Sequence, residues 1–117
     1  KISLLRCTPN IAPKTPMAKV ELSPSAEEDM REIWRYSAGT WSERQAKVYV
    51  DALFDAMDEA ADAPNSGRRA DDLSEGLLKK SCASHVIFYR ERSDGVCIVR
   101  VLHKQMDFSA HLANDET

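Results

Sequence analysis

The strongest constraint in this chain of 117 residues is the stretch from Ser81 to His103. It holds two β-rich runs, His85-Val86-Ile87-Phe88-Tyr89-Arg90 and Val96-Cys97-Ile98-Val99-Arg100-Val101-Leu102-His103, around Ser93-Asp94-Gly95. An Asp-Gly loop tolerates positive φ and predicts a β-hairpin. Side chains alternate across a strand. Ile87 and Tyr89 therefore point one way and Val86 and Phe88 the other. On the second run, Val96, Ile98 and Leu102 should oppose Cys97, Val99 and Val101. Both faces are apolar, so both must be covered: one by the chain's own helices, the other by its tail or by a partner.

The helices are legible upstream. Ser23-Pro24 is a helix start, because Ser caps free amides and Pro at the first helical position gives up a hydrogen bond that would be missing anyway. Glu27, Glu28 and Asp29 in the early turns suit the helix dipole. Ala26, Met30, Ile33, Trp34 and Ser37 form one stripe at helical spacing, and Gly39 is the expected terminator. Ser42-Glu43-Arg44-Gln45 opens a second helix with a capping-box pattern. Ala46, Tyr49, Val50, Leu53, Met57 and Ala60 are its stripe, and Pro64 closes it. The acidic run Asp55, Asp58, Glu59, Asp62 reads as a solvated face.

Ala18 to Leu22 and Leu77 to Ser84 are further strand candidates, with a turn at residues 65–69 between the helices and the later strands. Met106 to Leu112 is short, part-apolar and able to cap a sheet edge or face. The expected fold class is α+β, a helical hairpin packed on a small antiparallel β-sheet in the order β-α-α-β-β-β. Lys1 to Pro16 carries Pro9, Pro13 and Pro16 and no acidic residue. Residues 1–16 read as a flexible extension, a vector-derived leader or an upstream reading, with the folded domain at 17–117.

Charge is uneven. Met17 to Ala63 has 5 basic against 11 acidic residues, whereas Arg68 to Lys104 has 8 basic against 5 acidic. A general nucleic-acid binder carries a larger positive excess, and no sequence-specific nucleic-acid binding is expected. Cys7, Cys82 and Cys97 are an odd number at irregular spacing, which points to a reducing cytoplasm. No apolar run approaches the roughly 20 residues of a membrane span.

Cys82-x-x-His85 lacks the convergence of a metal site, since residues three apart on a strand face opposite ways. His85, Arg90, Arg100 and His103 with Tyr89 have the residue types of a ribonuclease, but His85 and Arg90 fall on opposite strand faces, as do Arg100 and His103. The reading from residues is therefore no catalytic group, no metal and no cofactor. Trp34 reads as core; Trp41, at the helix junction, is as much a partner anchor as a core residue.

Leu22-Ser23-Pro24-x-Ala26-x-x-Asp29, Ile33-Trp34-x-Tyr36, Pro64-x-x-Gly67-Arg68, Ser84-His85-Val86-Ile87-Phe88-Tyr89-Arg90 and Arg100-Val101-Leu102-His103-x-x-Met106-Asp107 stand in the order and spacing of the ParE toxins. The chain from Val20 to Leu112 thus resembles the ParE branch of the RelE/ParE superfamily of toxin–antitoxin systems. The resemblance implies two helices on a small antiparallel sheet. It also implies a cytoplasmic toxin that poisons DNA gyrase and is neutralised by a ParD-like antitoxin. That antitoxin would lay a helix along the hairpin and an extended stretch toward the sheet. Trp34, Trp41, Tyr49 and Leu53 are the expected antitoxin contacts; Arg90, Arg92, His103 and Met106, with the tail to Leu112, the expected target contacts. The alternative is a RelE-like ribosome-dependent messenger-RNA interferase, against which the acidic helices argue. A third reading is an interaction module that has lost its toxicity.

Overall fold

The computed structural model describes residues 19–106 together with Phe108 and Leu112. The expected extension at 1–16 lies outside the described residues. The chain opens with β1 (Lys19–Leu22) and passes straight into α1 (Pro24–Thr40). Ser23 makes that junction. Its Oγ accepts from the Ala26 N–H at 3.0 Å and donates to the Val99 carbonyl at 2.8 Å. One hydroxyl thus caps the helix and ties it to the sheet. The helix runs one residue past Gly39, which has no positive φ and space around its α-carbon. Its expected role as terminator is therefore not used. The end comes where Trp41 turns out of the helix and donates its N–H to Ser37 at 2.9 Å. Ser42 then caps α2 (Glu43–Asp62) by accepting from the Gln45 N–H at 3.1 Å.

The region expected to be a plain turn is more ordered than that. A 3₁₀ turn at Pro64–Ser66 leads into the two-residue strand β2 (Arg68–Arg69), followed by β3 (Leu78–Cys82), β4 (His85–Arg92) and β5 (Gly95–His103). The five strands lie in the order β1-β5-β4-β3-β2; β1 runs parallel to β5 and every other neighbour is antiparallel. The expected α+β architecture is present, with one short strand added. Among the described residues no helix is long and apolar enough to cross a membrane.

Gly95 is needed for a close approach. It stands beside Lys19, and a β-carbon there would collide with the Lys19 carbonyl. The first strand can enter only because that side chain is missing.

Both sheet faces are buried, as the double alternation requires. Ile87, Tyr89, Val96, Ile98 and Val101 pack with Met30, Ile33, Leu53 and Met57 of the helices. Val86, Phe88, Val99 and Leu102 form a second cluster on the far face. The strict alternation expected for β5 fails at its end: Val101 faces the helices and Leu102 faces away. The cause is a bulge. Tyr89 pairs with Ile98 but Phe88 pairs with Arg100, so Val99 is an extra residue and the parity beyond it reverses.

The bulge sits where α1 leans on the strand. Asp29 accepts from Arg100 Nε at 2.7 Å and Nη2 at 2.8 Å, and from the Val101 N–H at 3.0 Å. Both charged side chains are only 13% exposed. Such a bidentate pair fixes geometry, and removing one partner would strand the other charge.

The far face is covered by the chain itself. Ala70, Leu77 and Leu112 are buried there, with Leu73 and Phe108 packed against them. Phe108 meets Phe88 edge-on at 5.0 Å between ring centres. Arg90 holds this cover in place, donating from Nη1 to the Glu75 carbonyl and from Nη2 to Ser74 Oγ, both at 2.7 Å. Of the two covers the sequence left open, tail or partner, Phe108 and Leu112 of the tail join the 70–77 connection in closing this face.

Candidate binding site

The open surfaces lie on either side of α1. A helix with a 3.6-residue period that buries Ala26, Met30, Ile33 and Ser37 must send positions such as Trp34 to one flank and Tyr36 to the other. Each flank borders a depression. The first, about 410 Å³, has apolar walls from Leu22, Met30, Trp34, Val50 and Phe54, with Arg31 and Arg35 at its rim. Both arginines are held in exposed ion pairs with Glu28, and Arg35 also pairs with Glu32 at 2.8 Å. Leu22 belongs to β1, the edge strand of the sheet, so this groove adjoins backbone groups that could accept another strand.

The second depression, about 440 Å³, lies between the helix junction and the end of the sheet where β4 starts and β5 finishes. Tyr36, Trp41, Tyr49, His85, His103 and Met106 line it. Trp41 is 58% exposed and Tyr36 67%, and the two rings meet edge-on at 6.3 Å. His85 and His103 are register partners on adjacent strands, their ring centres 5.2 Å apart. Tyr49 reaches across from α2. Its hydroxyl accepts the Ser84 N–H at 3.2 Å and lies 2.7 Å from His85 Nδ1. Tyr49 donating to Nδ1 is the arrangement in which the neutral His85 carries its own proton on Nε2. The Gln105 N–H donates to His103 Nδ1 at 3.1 Å, which fixes the same tautomer there.

Electrostatics agree with a neutral His85. Burial, reinforced by the neighbouring His103 and opposed by Asp29, pushes His85 from 6.5 down to about 4. Burial raises Tyr49, which stays a protonated donor. Burial, with Glu59 nearby, raises the Cys82 thiol and keeps it unreactive.

The expected contact residues separate into three groups. Trp34, Trp41 and Tyr49 do line the depressions; Trp34, expected as core, is 38% exposed. Leu53 is 0% exposed; it packs beneath the helices and offers no surface, so the expectation of a partner contact there is corrected. Of the expected target contacts, Arg90 latches the far-face cover. Arg92 makes an exposed ion pair with Glu21 at 3.4 Å. His103 and Met106 enter the second depression beside Trp41 and Tyr49. Residues assigned to two different partners thus share one cleft. Tyr36, Val50, Phe54 and His85 were not among the expected contacts; only the strand register, which brings residue 85 against 103, places the histidine there.

This is a class of small two-layer protein, a helical hairpin over a mostly antiparallel five-stranded sheet, whose open apolar surface is built for contact. Residues 20–108 match the family model described as ParE toxin of type II toxin-antitoxin system, parDE. The toxin ParE1 of Mycobacterium tuberculosis is 40% identical over 92 residues, covering 78% of this chain and 94% of that relative. The toxin ParE1 of Caulobacter vibrioides is 36% identical over 96 residues, 82% of this chain and 99% of that one. A solved chain described as the chromosomal ParDE TA system from P. aeruginosa superposes with a TM-score of 0.65 at 13% identity, over 76% of this chain and 98% of its own. The chain belongs to the ParE toxin family of type II toxin–antitoxin systems.

Proposed function

We propose that this toxin acts in the cytoplasm by binding and inhibiting DNA gyrase, and that a ParD-like antitoxin neutralises it. Its action is stoichiometric rather than enzymatic. The observation that carries the reading is the pair of apolar depressions flanking α1, with Trp34, Tyr36 and Trp41 left at the surface. Large aromatic side chains exposed around preformed grooves suit protein partners. The first groove, with β1 at its side, fits an amphipathic helix followed by an extended stretch.

The interferase alternative needs an acid–base pair and a cation to stabilise phosphorane charge. The histidine cleft has imidazoles but no Lys or Arg among its described lining, and Arg90 belongs to the opposite sheet face. The deciding experiment is a plasmid supercoiling and cleavage assay with purified toxin, gyrase and ATP. Blocked supercoiling with accumulated double-strand breaks is expected, reversed by a ParD-like antitoxin. Unaffected gyrase together with codon-phased cutting of messages on translating ribosomes would replace this reading with the interferase.

A further inference from the structure

The wall of the second cleft is held by a chain of hydrogen bonds that needs one bare nitrogen. The Ser84 N–H donates to the Tyr49 hydroxyl at 3.2 Å, and that hydroxyl lies 2.7 Å from His85 Nδ1. A phenol oxygen that accepts from Ser84 still has its own proton to place, and Nδ1 is the acceptor within reach. The neighbouring strand repeats the pattern, the Gln105 N–H donating to His103 Nδ1 at 3.1 Å. Each imidazole thus holds its surroundings as an acceptor, and a proton on Nδ1 would turn that acceptor into a donor. The two rings are also register partners, 5.2 Å apart, so two charged rings would repel.

The groups around His85 give such a charge little relief. From α1, Glu32 and Tyr36 line the cleft, but the Glu32 carboxylate is paired with Arg35 at 2.8 Å. Asp29, on the same helix, has one oxygen on Arg100 Nη2 and the other on Arg100 Nε and the Val101 N–H. From α2 comes Tyr49 itself. From β3, Cys82 stands opposite His85 in register, its thiol raised by burial. β5 contributes His103, and Lys104 follows it, donating its N–H to the Ser84 carbonyl at 3.0 Å. Among the described residues no carboxylate is hydrogen-bonded to either imidazole.

A second, independent observation lies in the turn that carries Ser84. Ala83, between β3 and β4, has φ of 54°, a left-handed conformation unfavourable to an L-residue. Strain of this kind persists only where the surroundings over-determine it. Without the Tyr49 clasp, the turn would be free to relax.

We propose that the Tyr49–His85 clasp is an acid-released latch on the β3–β4 turn. Neutral His85 holds the turn against α2; a proton on the ring frees the turn and withdraws the Ser84–His85 wall of the cleft. The first groove has no histidine among its described lining and keeps its form over the same range. The two surfaces beside α1 therefore differ in regulation, since acid removes one and leaves the other. The closed latch binds the proton more weakly than the open one, about 4 against 6.5. It is fully shut above 6.5 and opens as pH falls toward 4.

The test is amide hydrogen exchange of the whole chain by NMR between pH 7 and pH 5, each rate divided by that of an unstructured peptide at the same pH. Protection of the Ser84 and Lys104 N–H groups should fall about tenfold over that interval. Protection of Ile33, inside α1, should stay within twofold. His85→Asn places an amide oxygen near the Nδ1 position and does not titrate, so it should abolish the fall. Tyr49→Phe removes the clasp and should leave the Ser84 N–H unprotected at both pH values, with circular dichroism verifying the fold. Ser84 protection that stays constant from pH 7 to pH 5 would overturn the latch. So would a fall that Ile33 shares equally, which is global unfolding, or one that His85→Asn retains. Should His85→Asn fail to fold, the contrast of Ser84 with Ile33 in the unmodified chain still decides.

Discussion

The two faces of the sheet are buried by different means. On one, two long capped helices supply stripes at regular spacing, and a bidentate ion pair joins α1 to β5. On the other, an irregular connection and two residues of the tail are laid over Val86, Phe88 and Leu102, with Arg90 tying the connection down. A helix keeps its shape by its own backbone hydrogen bonds, so its packing adds to an element already formed. The 70–77 connection has only a short set of its own, closed by the Ala70 N–H on the Leu77 carbonyl and the Leu77 N–H on the Ser74 carbonyl, and it also depends on the side chains that pin it to the sheet. The helical face is therefore robust and periodic, the far face conditional.

The sharpest way to break this contrast is to empty each core. Phe88→Ala removes a fully buried ring that also meets Phe108 and should cost about 4 kcal/mol in denaturant unfolding. A loss near that of a surface substitution would mean the far face is no core at all. Asp29→Ala should cost about 3 kcal/mol, because Arg100 and the Val101 N–H would be left without it. Arg90→Ala should cost only about 1–2 kcal/mol. Its effect should be regional, with faster hydrogen exchange in residues 70–77 and unchanged protection in α1 and α2. Global loosening would show that the latch supports both faces alike.

Acidification probes the helical face at its open end. A histidine whose folded value, about 4, lies below its ordinary 6.5 favours the neutral form in the fold. Its contribution is therefore complete above 6.5 and lost as pH falls from 6.5 toward 4. His85→Gln should flatten stability over that window, as thermal melts across the range would reveal. The smallest effect is a gain: Ala83→Gly should relieve a left-handed alanine and stabilise by up to about 1 kcal/mol.

The same contrast explains what the sequence made legible. Caps at Ser23 and Ser42, the helical stripes and the double alternation of β4 depend on neighbours within a few residues, and each is visible in the chain. The reversal of Val101 and Leu102 depends on an unpaired Val99 opposite Phe88 and Tyr89, and no local pattern encodes it. Likewise the Cys82-x-x-His85 spacing reads as one strand, whereas a turn at residues 83–84 makes the two residues register partners on neighbouring strands, and the meeting of His85 with His103 requires a further register. Trp34 reads as core because a stripe has blurred edges, and a residue at its margin can be buried or form a groove wall. Arg90 reads as a contact because it lies in the basic hairpin stretch, and the loop it anchors is visible only in the fold.

The parallel pairing of β1 with β5 has a consequence for how the toxin comes into being. The first strand waits for a partner some seventy-five residues later in the chain, since Lys19 stands against Gly95 and Leu22 against Ile98. Pairings so distant in sequence make folding slow relative to its local steps. During synthesis the helices can form early, but the sheet that organises them cannot close until β5 has left the ribosome. A nascent chain would therefore expose its helical stripes before it has a finished surface to present. The strand order thus separates the early appearance of the helices from the completion of the folded surface.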